Sequence, residues 1–206
     1  MKRILIYLLL LFSTFSCGQK QISIDNIENI PSPSADDEIY ADVYQPLDGT
    51  WKGEFLIYED TNLKTKDQVE LEDIGVEDLN RAGLKQINAI QVTQVYKSIS
   101  PYFQKVTITD IYPDSDKKEV SNGVNKIQNG KMWCVVRKPN ETVIHSGKSE
   151  GNTIFWSRNE PSPQRIEFFK ETVLENSYEI IGWGYYEGDD PKLSPKLWFY
   201  AKYQRQ

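Results

Sequence analysis

Hydrophobic and polar residues alternate with a period of two from residue 49 almost to the end of the chain. Over residues 49–58 one face carries Trp51, Gly53, Phe55 and Ile57, and the other carries Lys52, Glu54, Leu56 and Tyr58. Successive side chains of a strand point to opposite faces, so this pattern predicts a half-buried β-strand. From residue 87 onward the pattern repeats. It predicts further strands at 88–98, 102–112, 118–128, 131–137, 141–148, 153–158, 164–174, 177–187 and 196–204. Turn-forming residues separate them, among them Pro113-Asp114-Ser115-Asp116, Glu150-Gly151-Asn152 and Gly188-Asp189-Asp190-Pro191. Asn129-Gly130 is the strongest hairpin signal, because both residues tolerate the positive φ that a two-residue turn needs. Glu160-Pro161-Ser162-Pro163 reads as a break in the chain.

About ten strands joined by short turns, with no βαβ spacing, predict a mainly β protein. The favoured architecture is an antiparallel up-and-down β-barrel of about 8–10 strands, because closure removes exposed strand edges. A two-sheet sandwich is the alternative. Residues 59–86 interrupt the alternation. They are polar and acidic, and Val76, Leu79 and Leu84 have helical spacing, which predicts at most one short helix within 76–85. The acids Asp67, Glu70, Glu72 and Asp73 read as a solvated face, since the spacing of a calcium loop is missing.

Composition narrows the partners. The 12 Tyr, 8 Phe and 5 Trp favour strands. The formal net charge of −6 argues against nucleic acid, because no basic patch is present to meet phosphates. At the N-terminus, Met1-Lys2-Arg3 precedes an apolar run at 4–12 and the junction Ser16-Cys17-Gly18. The run is too short to cross a hydrocarbon core of about 30 Å and fits a secretory signal. The junction resembles that of bacterial lipoprotein signals. That resemblance implies lipidation of Cys17, cleavage before it, and a place in the bacterial cell envelope, at the outer membrane. The expected organisation is a signal peptide at 1–16, a lipid-anchored flexible tether at 17–46 and one barrel domain at 47–206. The tether includes Pro31-Ser32-Pro33-Ser34-Ala35-Asp36-Asp37.

Gly49-x-Trp51 at the first strand, with about nine strands after it, resembles the calycin superfamily of lipocalins, fatty-acid-binding proteins and nitrobindin-like barrels. The longer Gly49-x-Trp51-x-Gly53 is similar to the opening of nitrobindin-like haem barrels. Gln94-x-Tyr96 and Pro101-Tyr102-x-Gln104-Lys105-Val106 resemble part of the T-type phycobiliprotein lyases. The connection after the first strand is similar to the helical lid of fatty-acid-binding proteins. The resemblance implies that Trp51 closes the barrel floor and that a basic residue, Lys202 or Arg205, stacks over it. Two departures bear on ligands. No histidine lies near the C-terminus, where a nitrobindin-like haem ligand would stand. Tyr200-Ala201-Lys202-Tyr203 replaces the Arg-x-Tyr that grips a carboxylate in fatty-acid-binding proteins. No cofactor is expected.

Catalytic patterns are sparse. His145 is the sole histidine, so a histidine-based metal site lacks partners, and it reads as a hydrogen-bonded strand residue. Cys134 sits in the apolar Met132-Trp133-Cys134-Val135-Val136 and reads as a small buried hydrophobe. A nucleophilic role would need His145 as its base. What remains is a lining, with Gln94, Tyr96, Gln104, Asp110, Trp156 and Arg158 as ligand-binding candidates on otherwise apolar walls. The expected function is an envelope lipoprotein that binds or carries a small apolar or amphipathic molecule. The alternative is a non-enzymatic interaction module with a filled core and a protein or glycan partner. A hydrolase using a carboxylate pair about 5–10 Å apart is a third reading.

Overall fold

Ten strands form in the order the alternation predicts: β1 Gly49–Asp60, β2 Leu84–Ser100, β3 Phe103–Tyr112, β4 Lys117–Ile127, β5 Met132–Arg137, β6 Thr142–Glu150, β7 Thr153–Pro161, β8 Gln164–Val173, β9 Ser177–Tyr186 and β10 Leu197–Arg205. The computed structural model describes residues 27–62, 74–80, 83–115 and 117–206. The signal stretch, Cys17, the first part of the expected tether and the acids Asp67, Glu70, Glu72 and Asp73 lie outside them. Each strand pairs antiparallel with the next, and β10 pairs back onto β1, so the sheet is a closed up-and-down barrel.

Side-chain parity follows from the register. Trp51 faces Arg205 across β1 and β10, and Phe55 faces Ala201. Trp51, Gly53, Phe55 and Ile57 therefore point inward together with Tyr203, Ala201 and Phe199. The expected break at Glu160–Pro163 is a tight hairpin instead. Pro161 pairs with Gln164, leaving only Ser162 and Pro163 in the turn. Proline is tolerated there because no ladder donor is required at a strand end.

Two outer faces of the barrel are apolar and each is covered. Strands β9 and β10 carry large apolar residues on both faces, so the outside needs a partner as much as the inside does. Ile74 and Leu79, from the β1–β2 connection, bury themselves against Ile181, Trp183, Tyr185 and Trp198. The short helix is a 3₁₀ segment at Val76–Asn80, and Gly83, at φ +100°, directly precedes β2. The described part of the connection that the lid expectation concerns, residues 74–80, lies along the outer wall.

The second cover is N-terminal. Ile27 is fully buried on the outer residues Phe103, Val124, Trp133 and Val135. Asp37 accepts a hydrogen bond from the Gly130 amide at 2.7 Å. The chain then turns under the barrel, where Tyr44 and Leu47 join the main core. Residues 27–46 thus pack as part of the domain, although their Pro-, Ser- and acid-rich composition predicts a tether. Composition reports the exposed residues of this stretch and misses the few apolar ones that anchor it.

Candidate functional site

The barrel has one plugged end. Trp51 is fully buried there, and its indole N–H donates to the Leu47 carbonyl at 2.7 Å. Its ring meets Tyr178 edge-on at 5.8 Å, and the Arg205 guanidinium lies 4.2 Å from the ring centroid. Arg205 also donates to the carbonyls of Pro46, Asp48 and Glu175. Lys202, the other residue considered for this role, is on the outer face and pairs with Glu179 at 2.7 Å. Strand parity decides between them: Arg205 is an inward position of β10 and Lys202 is an outward one.

Two of the expected ligand-binding residues belong to this plug. The Gln104 amide donates to the Tyr44 carbonyl at 2.7 Å and to Asp48 at 2.9 Å, and accepts from Asn125 at 2.9 Å. Its hydrogen-bonding capacity is spent below the cavity. Tyr96 packs edge-on against Tyr178 and donates its hydroxyl to Gln94 Oε1 at 3.0 Å. The parity that predicts an inward direction for both is correct, but it does not say at what height along the barrel a side chain sits.

Above the plug the barrel is hollow. A cavity of about 440 Å³ runs to the other end, which is open among the described residues, with Phe55, Ile90, Val92, Ile108, Phe169 and Phe199 among its apolar walls. Gln94, Asp110, Trp156 and Arg158 line it as well. Room for Trp156 comes from Gly147 on the neighbouring strand, where a Cβ would stand 2.4 Å from the indole ring. At Gly182 a Cβ would stand 2.2 Å from the Phe168 carbonyl, so the bare backbone lets β8 and β9 close up.

Arg158 is not free to orient a ligand. Its guanidinium grips Glu160 through two contacts of 3.0 Å and lies 3.4 Å from Glu167 and 3.7 Å from Glu141. Arg165 pairs with Glu141 too. Enclosure alone would raise the Glu167 carboxyl. Contacts with His145, the Tyr186 hydroxyl at 2.7 Å and the charge of Arg158 outweigh it and hold the group at about 2. His145 Nε2 lies 3.5 Å from Glu167 Oε2, close enough for attraction but without hydrogen-bond geometry, and its ring meets Phe169 edge-on at 5.5 Å. Burial pushes the Cys134 thiol far up, so it is a poor source of thiolate.

Glu171 lines the cavity beside the plug residue Tyr178. It is half-buried, and enclosure by protein pushes its carboxyl up to about 7, partly offset by hydrogen bonding with Trp156 and Tyr178. Tyr203 lies beside this end, fully buried, with a hydroxyl that has no hydrogen-bond partner.

Glu167, Glu171 and Tyr186 are absent from the sequence-derived candidates, and His145 reads there only as a hydrogen-bonded strand residue. A signal for the two acids existed. If Arg158 and Trp156 face inward and the Pro161–Gln164 hairpin is tight, then Glu167, Phe169 and Glu171 face inward opposite Arg158, Trp156 and Ile154. Treating that hairpin as a break discards the register.

No protein-family model matches the chain, and no curated protein matches it significantly. Among solved structures it is similar to Rv2717c from M. tuberculosis, at 14% identity over 81% of this chain and 98% of that one, with a TM-score of 0.48. A redesigned β-barrel matches at 12% identity over 81% and 96%, with a TM-score of 0.37. EF1p2_mFAP2b bound to DFHBI matches at 11% identity over 81% and 99%, with a TM-score of 0.39. The class is defined by the closed ladder itself: a ten-strand antiparallel up-and-down barrel. Within that class this chain is one with a plugged floor and a hollow interior.

Proposed function

We propose that the protein binds or carries a small amphipathic molecule inside its barrel. The observation that carries this reading is the cavity of about 440 Å³, apolar along its walls and polar at both ends. Its volume falls in the range of about 300–1,000 Å³ that small-molecule sites occupy. An apolar guest would replace wall contacts that an empty cavity forgoes. The filled-core alternative has this same volume against it. The polar groups near the open end serve mainly to keep one another paired, as Arg158 does with three carboxylates.

The same reading puts the barrel at a membrane. Cys17 would carry the lipid, on the N-terminal side of the described domain. The support is the sequence pattern of Met1–Gly18. Several acyl chains, at about 0.8 kcal/mol per buried methylene, would make such an anchor stable.

Native mass spectrometry of the purified protein, with solvent extraction of whatever it retains, tests the binding reading. A stoichiometric small amphipathic species that dissociates on unfolding is expected. A protein that stays empty and takes up no apolar probe would contradict it. For the anchor, radiolabelled palmitate should enter the wild-type protein and not the Cys17→Ala variant.

A further inference from the structure

The two ends of the cavity differ in a way that selects among amphipathic ligands. At the open end stand the cations Lys138, Arg158 and Arg165, all within reach of carboxylates: Lys138 lies 3.8 Å from Glu141, Arg158 meets Glu141, Glu160 and Glu167, and Arg165 pairs with Glu141. At the plugged end stands Glu171, which makes no ion pair among the described residues. Its surroundings there are aromatic: Trp156 from β7, Tyr178 from β9, Tyr96 from β2 and Tyr203 from β10.

We propose that the plugged end receives a basic nitrogen: the ligand is an amphipathic amine whose protonated head pairs with the Glu171 carboxylate while its apolar body fills the cavity above. This inference rests on the ligand-binding reading and specifies its chemistry. A fatty acid in the same orientation would bring a second carboxylate beside Glu171, which has no ion-pair partner among the described residues. In the opposite orientation it would meet arginines already engaged. An ammonium head finds a counter-ion and ring faces that attract cations.

Proton balance gives the proposal a signature. In the empty protein the Glu171 carboxyl is held up to about 7 by its enclosure. An arriving ammonium ion favours the carboxylate, so below neutrality one proton leaves Glu171 for solvent on binding. Amine affinity then rises with pH, by about tenfold per unit below about pH 7, and levels off above it. It stays level until the amine itself deprotonates near pH 10. The other titratable groups around Glu171 do not compete in this window. Tyr44, Tyr96, Tyr178 and Tyr203 are all pushed well above their ordinary value by burial, and the Cys134 thiol is pushed up likewise. Asp110 and His145 also line the cavity, and a Glu171 variant separates their contribution.

The experiment titrates the purified protein with decylamine, decan-1-ol and decanoic acid between pH 5 and pH 8 by calorimetry. At pH 8 decylamine should bind at least about tenfold more tightly than the alcohol, and the acid should bind most weakly. Glu171→Gln should erase the amine's advantage and its pH dependence while leaving the alcohol within about twofold. Should that variant fold poorly, wild-type titrations in two buffers of different ionisation enthalpy still report the released proton. An alcohol that binds as well as the amine at pH 8, or amine binding with no proton release at pH 5–6, overturns the inference and leaves the cavity reading standing. Failure of all three probes to bind overturns both.

Discussion

At the residue scale, Glu167 and Glu171 show how one strand face makes two different acids. They are two inward positions apart on β8. Glu167 has Arg158, Tyr186 and His145 beside it and is held at about 2, whereas Glu171 has aromatic neighbours and is pushed to about 7. A depressed carboxyl stabilises the fold above its unfolded value of about 4.5, and that contribution fades as pH falls through about 2. The difference amounts to about 3 kcal/mol. Glu167→Gln should therefore cost on the order of 2–3 kcal/mol at pH 7 and far less at pH 2, measured by urea unfolding. An equal cost at both values would show that the ion pairs are not its source. Glu171 works with the opposite sign. Its raised value gives the empty protein extra stability below about 4.5 that is lost as pH rises through about 7. Between pH 5 and pH 8 the wild type should lose stability relative to Glu171→Gln, by a difference on the order of 3 kcal/mol in urea unfolding. Parallel pH profiles would remove Glu171 from the account.

The same scale shows what the sequence makes legible. The Trp51 plug can be read because its partner is fixed by parity at the other end of the chain, and the structure puts Arg205 over its ring. Glu167 and Glu171 are opaque because Arg165, Glu167 and Glu171 alternate with apolar Ile166 and Phe168. That arrangement looks like a polar outer face. It is in fact the inner one, since the apolar outer face is covered by the chain from Ile74 to Leu79.

At the scale of elements, strands are legible and covers are not. Each strand carries its own period-two signal, so its existence does not depend on distant residues. The segment before β1 has no period, and its packing rests on isolated side chains. Tyr44 stacks on Trp156 at 6.4 Å, and its carbonyl holds Gln104. Tyr44→Ala should cost about 3–5 kcal/mol, as large aromatic truncations in a core do. A residue in a free tether would cost under about 0.5 kcal/mol. Thermal or urea unfolding separates these outcomes, and a cost at the lower figure would mean that the segment does not dock.

At the scale of the molecule, the strand count and the short turns point to closure. They are silent on whether the barrel is full. Hollowness depends on how ten inward faces fill one volume, and on where the large residues concentrate. Here Trp51, Tyr44, Tyr178 and Leu47 crowd the plugged end, and the upper barrel is left to Phe, Ile and Val side chains that line it without filling it. The central claim is that this space takes a guest. Methyl-resolved NMR during a titration with decylamine at pH 8 tests it most directly. The methyl groups of Ile90, Val92, Ile108, Val136, Val143 and Ile180 line the cavity and should shift together, saturating at one equivalent. Those of Val95, Ile111 and Val120, exposed on the outer surface, should stay in place. Shifts confined to the outer set, or none in the inner set, would contradict the account.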